Sequence, residues 1–293
     1  MENSAVALIA DHPHVRQTGR NLAAELALPF LENREQSIDN YEFLLTVQEA
    51  GLSLMDIREG LAPLSLNFLS GSLNYRRQMG GEILARVLGF KGSERGTIRV
   101  LDTTAGLGRD AFIIASLGYQ VTMVEQSPAI FALVRDALER AVARVLAQEG
   151  GNAGDRGQAI KKATADREVL SRLSLYLGES SSLLAGEVEL QSLLAFTPFV
   201  QRKVEEMDFD IIYLDPMFPE RRKSAKVKKE MQYLQRLTNN LKIERMFELA
   251  LNSRAKRVVV KRPSSAEPLL AQKPHHSSQS KSMRFDVYLT SGV

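Results

Sequence analysis

The chain has 293 residues, 38 Lys+Arg against 35 Asp+Glu, 44% hydrophobic residues, and neither Cys nor Trp. That length supplies one large or two modest domains with a full core, and the lack of Cys excludes disulfides, thiolate metal sites, iron–sulfur clusters and a cysteine nucleophile. No segment joins a basic start to a long apolar run, and none reaches the ~18 uninterrupted apolar residues of a membrane span, so a soluble cytoplasmic protein with no membrane partner is expected.

Residues 1–75 read as a small N-terminal α+β domain. Ala5 to Ile9, Tyr41 to Val47, Leu52 to Ile57 and Leu64 to Leu69 are strand-like, and the Gly and Pro of EAG and REGLAP between the last three predict an antiparallel meander. An amphipathic helix is predicted over Thr18 to Leu28. Residues 76–293 form the second domain, entered through NYRRQMGGEILARVLGF, a basic linker that becomes helical near Gly80. After Arg95-Gly96, strands and helices alternate, the pattern of an α/β fold with a parallel sheet flanked by helices. Strands are predicted at 97–102, 119–125, 173–178, 209–215, 257–262 and 284–289, with helices at 109–117, 128–149 and 229–252. GGNAGDRGQ reads as an exposed loop, and with KKATADREVLSRL it makes an insertion before the third strand. KPHHSSQSKS (273–282) reads as a polar loop between the last two strands.

The first strand–helix turn, VLDTTAGLGRDAF, places Gly106 and Gly108 between a strand ending near Asp102 and a helix starting near Arg109. Glycines there permit a tight turn and close approach of a ligand to the backbone. Asp102 has two readings, cofactor ligand or anchor of the loop backbone. Glu125 ends the next strand, where an acidic side chain accepts hydrogen bonds from both hydroxyls of a ribose. The pair fits nicotinamide dinucleotides and S-adenosylmethionine alike.

The fourth strand separates these cofactors, because it ends in YLDPMFPERRKSAKVKKEMQ. Asp215-Pro216-Met217-Phe218 resembles the (Asn/Asp)-Pro-Pro-(Tyr/Phe) motif of class I methyltransferases that modify exocyclic amino groups. Such an amine is a poor nucleophile because its lone pair is delocalised into the ring, so acceptors on its two N–H bonds must orient it. Asp215 supplies one acceptor, the Pro216 region the other, and Phe218 a stacking surface for the base. Nothing resembles a dehydrogenase Tyr-x-x-x-Lys.

The net charge of +3 divides unevenly around this motif. Fourteen Lys and Arg against four Asp and Glu lie between Glu220 and Arg262, a balance of +10 that leaves −7 for the other 250 residues. A charge run is ordinarily a solvated helix face, but this one follows the candidate catalytic turn directly. Arg221, Arg222, Lys223, Lys226, Lys228 and Lys229 are therefore read as RNA-binding, neutralising phosphates while a base is extruded. His12, His14, His275 and His276 lack carboxylates at ligand spacing, and no metal is expected.

Taken together, VLDTTAGLGRDAF, VEQSP, LDPMFPxRxKSAxVKKEMQ and VVVKRP followed by a terminal RFDVYL resemble the ribosomal RNA small subunit methyltransferase J family over roughly residues 76 to 293. The resemblance implies a class I Rossmann-like fold, with a mostly parallel doubly wound sheet and an antiparallel last strand. It also implies S-adenosyl-L-methionine as cofactor, 16S rRNA or the small ribosomal subunit as partner, and the exocyclic N2 of a guanine as acceptor. By resemblance, the cofactor contacts fall on Arg109, Asp110, Glu125, Gln126, Ser180, Ser181 and Asp215. Gln126 stands where Arg is expected, and GESSSLL has three consecutive serines, so the serine assignment has a one-residue ambiguity. The competing readings are an adenine-N6 or other exocyclic-amine methyltransferase, and a non-catalytic RNA-binding protein on the same scaffold.

Overall fold

The strand–helix alternation after residue 95 resolves into an eight-stranded sheet, and the N-terminal segment adds a second sheet of four strands. A computed structural model of the chain describes residues 5–33, 35, 38–70, 81–90, 94–150, 157–199, 208–216, 229–237, 243–280 and 282–290.

The large sheet contains β5 (Arg99–Asp102), β6 (Gln120–Glu125), β7 (Leu173–Leu177), β8 (Leu194–Phe196), β9 (Ile211–Leu214), β10 (Arg257–Pro263), β11 (His276–Gln279) and β12 (Met283–Leu289). Their order is β11-β12-β10-β9-β5-β6-β7-β8. The five inner strands from β10 to β7 are parallel, whereas β12, β11 and β8 run antiparallel to their neighbours. The antiparallel last strand is as expected, and two antiparallel edges join it. From β5 the chain winds outward through β6 and β7, then returns to lay β9 on the other side of β5. This reversal opens a crevice at the carboxyl ends of β5 and β9, where open α/β sheets bind ligands.

Helices α3 (Arg109–Ser116), α4 (Pro128–Glu149) and α5 (Gly157–Leu170) connect the first three parallel strands. Ser127 caps α4 by accepting from the Ile130 N–H, and Pro128 occupies the first turn, where no N–H is needed. The expected exposed loop before β7 ends earlier than its composition suggests, because Gly157 and Gln158 already belong to α5. A short α6 (Ser180–Leu184) follows β7. Of the helix expected over 229–252, the described residues show α7 (Lys229–Leu237) and α8 (Ile243–Leu251), and residues 238–242 lie outside the described residues.

The N-terminal sheet departs furthest from expectation. It comprises β1 (Val6–Ala10), β2 (Phe30–Leu31), β3 (Phe43–Gln48) and β4 (Gly51–Asp56), in the order β2-β1-β3-β4. Helix α1 (Arg16–Glu25) carries the chain back between β1 and β2, so β1 lies parallel to both β2 and β3, and only the β3–β4 hairpin is antiparallel. Leu64 to Leu69 is not a strand. Its pairing stops at one bridge, Leu64 with Leu54, and the Asn67 side chain turns the backbone by accepting from the Leu69 N–H (3.0 Å). Leu64, Leu66, Phe68 and Leu69 are buried nonetheless. A helix at 81–88 (α2) stands at the position foreseen near Gly80.

One hydrophobic core joins the two sheets, running from Leu8, Leu45 and Leu54 through Phe68 to Phe112, Leu133 and Val259. Polar contacts reinforce the junction at α7. Arg236 pairs with Asp56 and with Glu42 (2.7 Å), and its guanidinium lies 4.5 Å from the centroid of the Phe43 ring. The buried Tyr233 hydroxyl accepts from the Asp56 N–H (3.0 Å). Asp56 itself is fully buried and also accepts from the Arg58 and Glu59 N–H groups. Asp56→Ala therefore removes one carboxylate partner of Arg236 and strands two backbone donors, and is expected to lower stability by about 2–3 kcal/mol, measured by urea denaturation of the full chain.

Candidate active site

The site is assembled at the carboxyl edge of the large sheet, beginning with the turn that leaves β5. The residues after Asp102 must reverse direction within a few positions, and TTAGLG does so with Gly106 at φ +51° and Gly108 at φ +68°. Both values lie in the left-handed region that only glycine enters at low cost. Gly108 caps α3, and a Cβ there would sit 3.1 Å from the Phe68 ring, so its lack of a side chain also makes room for packing. Two threonines fasten the turn to β9. Thr103 donates to the Tyr213 carbonyl through both its N–H and its hydroxyl (3.0 Å each), and the Asp215 N–H donates to Thr104 Oγ1 (2.6 Å).

Buried carboxylates line this edge. Asp102 is 2% exposed and accepts from the Thr104 N–H (3.1 Å). That bond holds the start of the turn, as one of the two sequence readings of Asp102 expects. Burial pushes its carboxyl up to about 8, with the charges of Asp110 and Asp215 acting in the same direction. Glu125, 4% exposed at the end of β6, accepts from the Gly106 N–H (2.9 Å) and the Ser127 N–H (2.8 Å). Burial pushes it up to about 7, against the stabilising N–H groups of Ser127, Gly106 and Gln126. A carboxylate has roughly four acceptor positions, so Glu125 holds the glycine turn and keeps capacity for a ligand hydroxyl.

The second half of the site forms where β9 and β10 end. Lys261 Nζ bridges Asp110 Oδ2 (2.6 Å) and Asp215 Oδ2 (2.7 Å). The Tyr213 hydroxyl donates to the same Asp110 oxygen (2.6 Å). Burial alone would lower the Lys261 ammonium, but Asp215 and Asp110 reverse this and hold it raised. Burial raises Asp215, Lys261 opposes that rise, and Asp110 adds to it. Burial and the Asp110 charge hold the Tyr213 phenol well above its ordinary range.

Most of the residues singled out in the sequence converge here. Asp102, Gly106, Gly108, Arg109, Asp110, Glu125, Gln126 and Asp215 lie on the glycine turn or at adjacent strand ends, and Pro216 is buried beside them. Ser180 reaches across from α6 to donate to the Thr103 carbonyl (2.7 Å), supporting the turn. Ser181 turns instead to Glu179 (2.5 Å). Phe218, Arg221, Arg222, Lys223, Lys226 and Lys228 lie outside the described residues, and Lys229 is the first residue of α7. Sequence reasoning did not single out Lys261, Thr104, Tyr213 or Leu234. A lysine directly after Val258–Val260 was the available signal for the first. Leu234 carried none, although a Cβ on Gly106 would lie 3.6 Å from its side chain, which places α7 over the glycine turn.

These features fit an adenosine-bearing cofactor: a tight turn with glycines at 106 and 108, an acidic residue with spare acceptor capacity at the next strand end, and a carboxylate at the neighbouring strand end. Residues 30–151 and 158–290 match a family model described as "Putative SAM-dependent methyltransferase". Ribosomal RNA small subunit methyltransferase J of Hahella chejuensis is 37% identical over 277 residues, covering 93% of this chain and 88% of its own. The protein of that name from Thioalkalivibrio sulfidiphilus is 36% identical over 99% of this chain and 100% of its own. The crystal structure of a SAM-dependent methyltransferase from Neisseria gonorrhoeae, 29% identical, covers 98% of this chain and 97% of its own with a TM-score of 0.63. By these near full-length matches and the glycine turn they include, the chain belongs to the ribosomal RNA small subunit methyltransferase J family of S-adenosylmethionine-dependent methyltransferases.

Proposed function

We propose that the protein methylates the exocyclic N2 of a guanine in 16S rRNA, with Asp215 and Pro216 orienting the amine. The supporting observation is the hydrogen bond from the Asp215 N–H to Thr104 Oγ1 (2.6 Å), which ties the amine-orienting residue to the glycine turn. When bound, S-adenosylmethionine supplies an electrophilic methyl group on a sulfonium. Gly106, Gly108, Arg109, Asp110, Glu125 and Gln126 would hold it, with Ser180 and Asp102 fixing the turn from behind. The remaining work is positioning rather than acid–base catalysis. Asp215 accepts one amine N–H, which points the nitrogen lone pair towards the methyl donor, and the ionised carboxylate offers both oxygens as acceptors. The basic block from Arg221 to Lys229 follows this residue in sequence and supplies charge for rRNA phosphates.

Asp215→Ala is expected to reduce transfer by about 100-fold or more, with a smaller change in cofactor affinity. The test is mass spectrometry of nuclease-digested 16S rRNA from a deletion strain. One N2-methylguanine should be missing, restored by the wild-type chain and not by Asp215→Ala. A methylated adenine in its place would establish the competing reading, and rRNA with every modification retained would leave only RNA binding.

Glu125 makes cofactor binding pH-dependent. Its carboxyl lies near 7 in the folded protein, and only the ionised form accepts from both ribose hydroxyls. Affinity should therefore rise from about pH 6 to about pH 8, and Glu125→Gln should flatten that slope in calorimetry. Replacing Lys223, Lys226, Lys228 and Lys229 together by Ala should weaken RNA binding and reduce its dependence on salt by up to about four units of slope, read from affinities at several ionic strengths.

A further inference from the structure

Among the described residues, Lys261 joins the two halves of the site. Asp110 stands in the first turn of α3, directly behind the glycine turn, and Asp215 begins the segment assigned to the amine. One ammonium contacts both, at 2.6 and 2.7 Å. Lys261 is only 18% exposed and continues a strand in which Val258, Val259 and Val260 are fully buried. An aliphatic residue would extend that packing without the cost of desolvating a charge. The neighbouring Arg262 is buried on the opposite face of the strand against Asp286 and does not share this role.

We propose that Lys261 is a positioning residue for methyl transfer, holding the carboxylate of Asp215 as an acceptor for the substrate amine while fixing its distance from the cofactor turn through Asp110. The assignment rests on the methyl-transfer reading for its purpose, although the ionic link can be measured without it. Among the described residues, the charged and titratable groups turned towards Asp215 are Lys261 on β10, Asp110 on α3, Asp102 on β5 and Tyr213 on β9. Burial and Asp110 both favour the protonated carboxyl, and Lys261 supplies the positive charge against them. Protonated, Asp215 would present a donor on one oxygen and lose part of its capacity to orient an N–H. Removing the ammonium also leaves two like charges sharing a partly buried space, which raises the proton affinity of one of them.

The test compares Lys261→Met, Lys261→Arg and Asp110→Asn by carbon-detected NMR titration of side-chain carboxyls in cofactor-free protein, with Asp215 assigned through Asp215→Asn. Lys261→Met should raise the Asp215 midpoint by about one pH unit or more, Lys261→Arg should keep it near the wild-type value, and Asp110→Asn should lower it. In single-turnover methylation of small ribosomal subunits from the deletion strain, the acidic limb of the rate profile should move in parallel. An unmoved Asp215 midpoint in folded Lys261→Met overturns the proposal. Where Lys261→Met does not fold, an Asp110→Asn midpoint that fails to fall overturns it equally. Wild-type protein that methylates no rRNA would instead overturn the functional reading, with the titration still deciding whether Lys261 governs Asp215.

Discussion

Gathering buried and half-buried carboxylates at the carboxyl edge of a parallel sheet is the constraint from which the rest of this structure follows. An ion moved out of water costs several kcal/mol unless donors surround it, and here Asp102, Asp110, Glu125 and Asp215 gather at the ends of adjacent elements. Each has a supplied partner. The glycine turn gives its N–H groups to Glu125 and Asp102, and Lys261 serves Asp110 and Asp215. Such a turn must bend tightly enough to aim its amides at side chains on two strands, hence the left-handed glycines at 106 and 108. The threonines then lock this turn to β9, so that the glycine turn and Asp215 form one connected unit.

The N-terminal sheet supports this unit through α7. Tyr233 and Arg236 fix the helix to Asp56, Glu42 and Phe43, while Leu234 on the same helix faces the glycine turn. Helical spacing explains the division: Tyr233 and Arg236, three apart, share one face, while Leu234 is turned about 100° away, so one helix can be held on one side and cover the glycine turn on another.

A second buried charge system lies behind β10. Arg262 and Asp286 are both fully buried, Arg284 joins them from β12, and Arg262 donates to the carbonyls of Ala266 and Glu267. Alternation along the strand sends Lys261 to the site and Arg262 to this cluster. A buried pair of this kind adds little net stability over an apolar substitute, but it ties the segment after β10 to the strand that carries Lys261.

The sequence by itself determined the parallel strands, the glycine turn, Glu125 and the Asp215 motif, because each depends on short-range pattern: buried strands read as apolar runs, tight turns require glycine, and α4 carries its own cap. It also located the charge asymmetry that a total of +3 conceals. Only the tertiary structure decided what depends on partners distant in the chain. β1 lies parallel to β2 and β3 because α1 returns the chain, and HSSQ becomes an edge strand because backbone pairing with β12 needs no apolar side chains. Lys261 entered the site for the same reason. A charge on a strand has no readable purpose until folding brings it within about 3 Å of its counter-charges, and the two it meets lie 151 and 46 residues away.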